Sequence, residues 1–486
     1  MIEVIPPTER EPRLLMAGLP PEQVRSFVES LQDSSTKASP NTGPDAVGLE
    51  PNLAAAQRVC ELGKALLRAL PLKSRRTEIE LRAGNTIVHL IADTTWKFFR
   101  NHAGAVYREL TNNGASPMRV EQLATRAALR LPGLLPSSAD LADERKRLQK
   151  DKDGLEISQG LFFSQILSNP VLGQHLVKSL LLPRAESLNL LDAFRREGRL
   201  DLGTAVVEAK GKAGYIYFNN RSYLNAEDDS TFLPLEIAAD LILLHPDLQV
   251  GVLRGGYVDH PRYAGKRVFS AGANLTQIYQ GQFSYLQYLI RDMGFANKMY
   301  RGVLRPDQIG GLAEPNDEPE QTLEKPWIAA VESFAIGGGC QLLLVVDYVI
   351  AEAGSYFSLP ARREGIIPAA ANLRLARFVG ERLAREAILF DRTFQVDDPE
   401  SRGLVNEVVL SSEIDTAIER RVAGVVGSGL VSAGANRKAM RVRTEPLDLF
   451  RKYMATYAYQ QVFCHLSEQL IRNLERHWIG RPRNVG

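Results

Sequence analysis

The sequence predicts an α/β core flanked by helices, with an all-helical region over residues 1–200, an α/β unit over 201–430 and a C-terminal helical segment over 431–486. Three observations carry this division. Apolar residues recur at helical spacing between Leu53 and Leu182. Near Asp201 the pattern changes to short β-branched and aromatic runs that alternate with a helical stretch, the signature of an α/β layer fold. Helical spacing then returns between Ser432 and Trp478. A chain of 486 residues is also long for one ordinary domain.

Taken in order, residues Gln23 to Gln32 can form a short helix, and Ser34 to Asn52, rich in Ser, Pro, Gly and Asn, reads as a linker or disordered loop. Helical spacing recurs over Leu53–Leu70, Glu78–His102, Arg119–Leu131 and Gln159–Leu182, and Pro71, Pro117, Pro132, Pro136, Pro170 and Pro183 suit helix boundaries. The segment Asp140 to Asp153 carries both charge signs densely and reads as a solvated helix, with Arg145, Lys146 and Arg147 as weak anion-binding candidates. His89 and His102 sit on helices and read as structural residues. In the second region, strands are expected at Thr204–Ala209, Tyr215–Phe218, Val250–Arg254 and Tyr348–Glu352, and helices at Leu233–Leu244 and Ala370–Val379. The stripe Phe450, Tyr453, Tyr457, Val462 and Phe463 in the C-terminal segment reads as core packing.

Composition excludes several classes. With 59 basic and 57 acidic residues the net charge is +2, which gives no nucleic-acid footprint. Cys60, Cys340 and Cys464 are scattered, so neither a disulfide framework nor a zinc site is expected, and no spacing of His and carboxylates suggests another metal. No apolar run reaches the roughly eighteen residues of a membrane span, and the N-terminus, with Glu3, Glu9 and Glu11, lacks the apolar stretch of a secretory signal. A cytoplasmic protein is expected.

The chain is organised around Glu324 to Ala351, where an apolar run, Trp327 to Phe334, meets Gly337, Gly338 and Gly339, and a second apolar run follows. Glycines at the mouth of a helix let a ligand oxygen approach a backbone N–H. By itself the triplet also fits a flexible turn between two core elements. A second β-type run, Arg267 to Leu275, ends in a similar small-residue turn, Ala271-Gly272-Ala273. One N–H from each turn would form a two-donor oxyanion hole, a device that stabilises an enolate or tetrahedral oxyanion.

These two turns, with Leu224-Asn225-Ala226 after a strand and Gly365-Ile366-Ile367-Pro368 downstream, resemble the crotonase (enoyl-CoA hydratase/isomerase) superfamily over roughly Leu202 to Val409. The resemblance implies a spiral ββα core, an acyl-CoA substrate whose thioester carbonyl meets the N–H groups of Ala273 and Gly338, and packing into trimers or hexamers. Hydratases of that superfamily carry two glutamates at positions that are Gln341 and Ala361 here, so neither can do general acid/base work and hydration is not expected.

The patterns at Lys325 to Val331, Phe334 to Val345 and Phe269 to Gly272 are similar to those of the 3,5-dihydroxyphenylacetyl-CoA 1,2-dioxygenase branch, cofactor-free oxygenases of glycopeptide-antibiotic biosynthesis that also carry a long helical N-terminal region. That resemblance implies catalytic or substrate-contacting roles for Glu227, Arg291, Gln341 and Ile366, with Ile367 and the Leu342 to Val346 run as further walls of a dry pocket. Read from the sequence alone, Glu227 is an exposed acid in the run Glu227-Asp228-Asp229, of the kind found at a helix N-terminus. Ala273 is smaller than the bulky aliphatic residue expected there, which alters the pocket while leaving the donor. The implied chemistry uses O2 and a CoA thioester with no metal or flavin, and neither nucleic acid nor membrane as partner. An acyl-CoA thioesterase, decarboxylase or hydratase-type enzyme, or a non-catalytic acyl-CoA-binding protein, remains as an alternative.

Overall fold

The structure, a computed structural model, describes residues 5–36, 48–305, 307, 309, 311–312 and 321–479. The expected loop at 34–52 falls partly outside them, at residues 37–47, and its two ends are helical, because one helix runs to Thr36 and the next begins at Leu49. Up to Glu197 the regular elements among the described residues are all helices. The helix Glu78–Leu110 is opened by a capping box between Thr77 and Glu80, which satisfies N–H groups that a helix start leaves unpaired.

The Gln159 to Leu182 stretch divides at the boundary proline Pro170 into Ile157–Ser168 and Pro170–Leu181, where the Asn169 Oδ1 caps Leu172 N at 3.1 Å and Pro170 cannot continue the first helix. One sequence expectation changes. The charged stretch 140–153 is not a solvated helix. Its helix is Ser138–Glu144, and Glu144, Gln149 and Lys152 are buried, with Gln149 Nε2 donating to His465 O of the C-terminal segment at 2.8 Å.

The α/β region forms a seven-stranded sheet from β1 (Arg199–Asp201), β2 (Ala205–Lys210), β3 (Ala213–Phe218), β4 (Val250–Arg254), β7 (Trp327–Val331), β9 (Tyr348–Glu352) and β12 (Glu407–Val409), in that spatial order. β1 to β3 pair antiparallel and the remainder parallel. A short pair, β5 (Val303–Leu304) and β6 (Thr322–Leu323), stands apart. After β7 the chain bends at Ser333, which adopts a positive φ of 64°. It then leaves the main sheet as β8 (Phe334–Ile336), which pairs parallel with β10 (Tyr356–Ser358), itself antiparallel to β11 (Thr393–Gln395). That departure is what carries the glycine turn away from the sheet core.

One face of the sheet packs on the helix Phe232–Leu244 and the other on Ile414–Ser428. A third apolar core is shared by the N-terminal helices, the segment 278–293 and the C-terminal helix Leu447–His465. Buried charges also join the regions. Glu236 receives Arg119 Nη2 at 2.6 Å, Arg184 Nε at 2.7 Å and Lys298 Nζ at 2.8 Å, and Lys298 reaches Asp240 at 2.7 Å. Removing one partner of such a network leaves a buried charge uncompensated. Among the described residues no helix is long and apolar enough to cross a membrane.

Candidate functional site

The two small-residue turns abut. A Cβ built on Gly272, which has φ +81°, would lie 2.7 Å from Ile336 O and 3.0 Å from Gly338 N, so only glycine permits this approach. The surrounding motif holds them in place. The Asn225 side chain donates to Gly256 O at 3.1 Å and Val268 O at 2.7 Å, and Ala271 N donates to Leu224 O at 3.1 Å. On the other flank Ile336 N donates to Ser270 O at 2.9 Å, and Ser270 bridges Ala335 in parallel register. The 268–273 segment is thus clamped between the Leu224-Asn225-Ala226 turn and β8.

Ala273 bridges Glu227 through its neighbours, with Glu227 N donating to Gly272 O at 2.7 Å and Asn274 N donating to Glu227 O at 2.8 Å. Because peptide groups alternate sides along an extended chain, the Ala273 N–H points away from that bridge. Gly338 is the first residue of the helix Gly338–Leu343, a position whose N–H has no intrahelical acceptor. Among the described residues neither N–H donates to a protein acceptor. Two free donors on abutting turns are the geometry that an oxyanion site requires.

Glu227, Arg291 and Gln341 gather beside Gly338. Arg291, 5% exposed, donates from Nε to Glu227 Oε2 at 2.8 Å and from Nη2 to Glu227 Oε1 at 3.2 Å and Gly338 O at 2.8 Å. Its Nη1 donates to Asp292 Oδ1 at 2.9 Å and Gln341 Oε1 at 2.8 Å. All five guanidinium N–H groups are therefore committed within the protein. Burial opposes the Arg291 charge, yet Glu227 and Asp292 outweigh it and hold the group above its ordinary value. Glu227 lies so close to the turn that a Cβ on Gly338 would sit 2.1 Å from its Oε2.

The structure thus brings Ala273, Gly338, Glu227, Arg291 and Gln341 together. Arg291, expected to contact substrate, has its N–H donors engaged within the protein. It is Gln341 whose amide has a free end: Arg291 holds its Oε1, which leaves Nε2 unengaged by the described residues. Ile366 packs on the same apolar cluster as Ala273, with Ile290 and Met293, and Ile367 joins it. The Leu342 to Val346 run does not line this cluster and is buried in the core on the sheet side. Ala361 is buried at the start of a short helix, Ala361–Glu364.

Sequence reasoning missed Asp292. It begins a π-helical turn, Asp292–Ala296, a feature that often marks functional positions. Its Oδ1 receives Arg291 and its Oδ2 receives Ala370 N at 3.1 Å, so it couples the arginine to the loop that carries Ile366 and Ile367. Burial raises the Asp292 pKa, against the opposing pull of Arg291 and Arg374. Its place directly after Arg291 was the available signal.

The enoyl-CoA hydratase/isomerase family model matches residues 314–470. The chain is 43% identical over 408 residues, 84% of this chain and 90% of the other, to a (3,5-dihydroxyphenyl)acetyl-CoA 1,2-dioxygenase from Amycolatopsis orientalis. It is 26% identical over 242 residues, 50% of this chain and 82% of the other, to a short-chain-enoyl-CoA hydratase from Clostridium acetobutylicum. A solved enoyl-CoA hydratase from Mycobacterium avium subsp. paratuberculosis K-10 aligns with a TM-score of 0.45 at 18% identity, over 56% of this chain and 98% of that one.

Proposed function

The chain belongs to the enoyl-CoA hydratase/isomerase family, the crotonases, and on that premise we propose that it is a dioxygenase converting a hydroxylated arylacetyl-CoA and O2 to the arylglyoxylate and free CoA. The observation that carries the reading is the pair of unengaged N–H groups, Ala273 and Gly338, on turns that abut next to the Glu227–Arg291–Gln341 cluster. Support for the acyl group and for O2 comes from the relative that shares 43% of its residues over 84% of this chain. In place of a hydratase's paired glutamates stand Gln341 and Ala361, neither of which titrates in a usable range.

The residues of this chain divide the work as follows. The N–H groups of Ala273 and Gly338 receive the thioester oxygen as loss of a Cα proton turns it into an enolate, and such donors stabilise charge where it develops. Glu227, pinned by Arg291 at the end of the Gly338 peptide, takes part in positioning or deprotonating Cα. The aryl-stabilised carbanion passes one electron to O2, and recombination gives a Cα peroxide. The peroxide attacks the thioester carbonyl and the C–S bond breaks to release CoA thiolate; the O–O bond then breaks as the second Cα proton leaves, so one oxygen stays on Cα as the ketone, the other on the carboxylate, and the thiolate is protonated to the thiol. One ester and one O2 give one arylglyoxylic acid and one CoA, so the atoms balance without a further oxidant. The apolar cluster that includes Ile290, Met293 and Ile366 keeps water from the carbanion and the peroxide. The protein is proposed to act without metal or flavin, in the cytoplasm, and as a homo-oligomer.

The test is oxygen uptake and thiol release by chelator-treated protein with a panel of arylacetyl-CoA esters. Uptake matched to thiol release supports the reading, and thiol release without uptake sinks it in favour of a thioesterase.

A further inference from the structure

The helix Leu447–His465 crosses the apolar core beside the site, and its stripe of aromatic and apolar residues reads as core packing from sequence alone. Two of its inward groups do not behave as packing residues. Among the described residues the Tyr457 hydroxyl, 2% exposed, has no hydrogen-bond partner, and Gln461, 0% exposed, has an Nε2 with only the Tyr288 hydroxyl nearby and no well-formed hydrogen bond to it. The two are four residues apart and so share one face of the helix, one turn above the other. A buried hydroxyl or amide left unpaired is destabilising, and most such groups in folded proteins are paired.

Neither group is free to turn to a different neighbour. Gln461 Oε1 accepts Ile367 N at 2.8 Å, which fixes the amide and its Nε2 against the loop that carries Ile366. The Tyr457 ring stacks on Tyr453 with centroids 6.1 Å apart, and the Tyr453 hydroxyl is itself tied to Ala369 O. Tyr457 packs in the apolar cluster with Ile290 and Met293, against which Ala273 and Ile366 also pack. Both groups therefore border the acyl end of the site, where Arg291 has no spare N–H and both Glu227 oxygens are engaged.

We infer that Tyr457 and Gln461 are specificity-determining residues that hydrogen-bond the polar ring substituents of the acyl group, with phenolic hydroxyls as the substituent class. The inference rests on the proposed arylacetyl-CoA reading. Gln461 Nε2 can only donate, so it seeks an oxygen acceptor, and the Tyr457 hydroxyl can donate or accept. A phenol oxygen satisfies either group. An unsubstituted ring would bury both without partners, and sites built to hydrogen-bond a hydroxyl reject analogues that lack it strongly.

The experiment compares wild type with Tyr457→Phe, which removes the unpartnered oxygen and keeps the ring, by anaerobic equilibrium binding of phenylacetyl-CoA and 3,5-dihydroxyphenylacetyl-CoA. Thermal unfolding of both proteins without ligand serves as the check on folding, and Tyr457→Phe is expected to be no less stable than wild type, because a buried unpaired hydroxyl contributes nothing to stability. Wild type is expected to bind the dihydroxylated ester at least about ten-fold tighter, Tyr457→Phe to lose about ten-fold of that preference, and its affinity for phenylacetyl-CoA to stay within about two-fold. The inference is overturned if wild type binds neither ester or shows no preference, if Tyr457→Phe keeps the wild-type ratio, or if it weakens both esters equally, as loss of a bound water would. Oxygen uptake measured separately on the same proteins reports on the dioxygenase reading: binding with the expected ratio but no uptake removes that reading and leaves ring recognition standing.

Discussion

Arg291 Nη2 donates to the Gly338 carbonyl at 2.8 Å, so the residue that presents an N–H to the site is held at its other end by the guanidinium that also grips Glu227. The oxyanion turn and the acyl-end carboxylate are parts of one hydrogen-bonded unit. A lysine offers three N–H donors on one nitrogen and cannot reproduce a planar five-donor fork. Arg291→Lys is expected to lower turnover by about ten-fold or more for hydroxylated and unsubstituted arylacetyl-CoA esters alike. Steady-state kinetics with both esters measures this, and a change in the preference between them at unchanged rate would contradict it.

A methyl group on Gly338 has no room, since it would lie 2.1 Å from Glu227 Oε2 and 3.3 Å from Arg291 Nη2. Gly338→Ala is expected to fold, because the position opens a helix, but to push the carboxylate off the turn. Initial rates of thiol release should fall ~100-fold, the scale seen when an oxyanion site is spoiled. A near-normal rate would show that the carboxylate and the turn are not coupled.

Glu227→Gln keeps the side-chain shape and removes the charge that faces the buried Arg291. Breaking a buried ion pair costs about 3–5 kcal/mol when one partner is lost outright, and an amide that still accepts one bond should cost less, about 1–3 kcal/mol. Urea unfolding checks the stability, and the turnover number is expected to fall much more than the affinity for the ester.

How far the sequence reached depends on whether a feature is local. The turns at Ala271-Gly272-Ala273 and Gly337-Gly338-Gly339 were legible because a small-residue run after a β-type run is a short-range signal, and their meeting matches the family order. The commitment of every Arg291 donor was not legible, because its partners come from residue 227 and from the 338–341 segment, far away in the chain. The second sheet was missed for a similar reason: β8, β10 and β11 are each three residues long, and only their pairing identifies them. The stretch 140–153 misled through its composition. Tertiary contacts bury Lys152 beside Glu156 at 3.8 Å, which no count of charges reveals.

Glu364 supplies a prediction in pH. Burial pushes its carboxyl up to about 7 from an ordinary 4.5, with Arg363 pulling the other way and Asp391 adding to the rise. The folded chain therefore keeps a proton that the unfolded chain releases between those values, so this group makes stability fall as pH rises through that window and level off above it. Glu364→Gln is expected to gain roughly 1–3 kcal/mol over wild type at pH 8 and little near pH 4.5. Chemical unfolding of both proteins at the two pH values measures the difference, and an equal effect at both would contradict the assignment.

The most direct measurement of the central claim is turnover of 3,5-dihydroxyphenylacetyl-CoA under 18O2 with chelator-treated protein, followed by mass spectrometry of the acid product. If the Cα carbanion is oxygenated and the peroxide collapses onto the thioester carbonyl, the arylglyoxylate carries both labelled atoms and one CoA is released for each O2 consumed. Release of CoA with an unlabelled arylacetic acid would contradict the account, because the two N–H groups would then be serving hydrolysis.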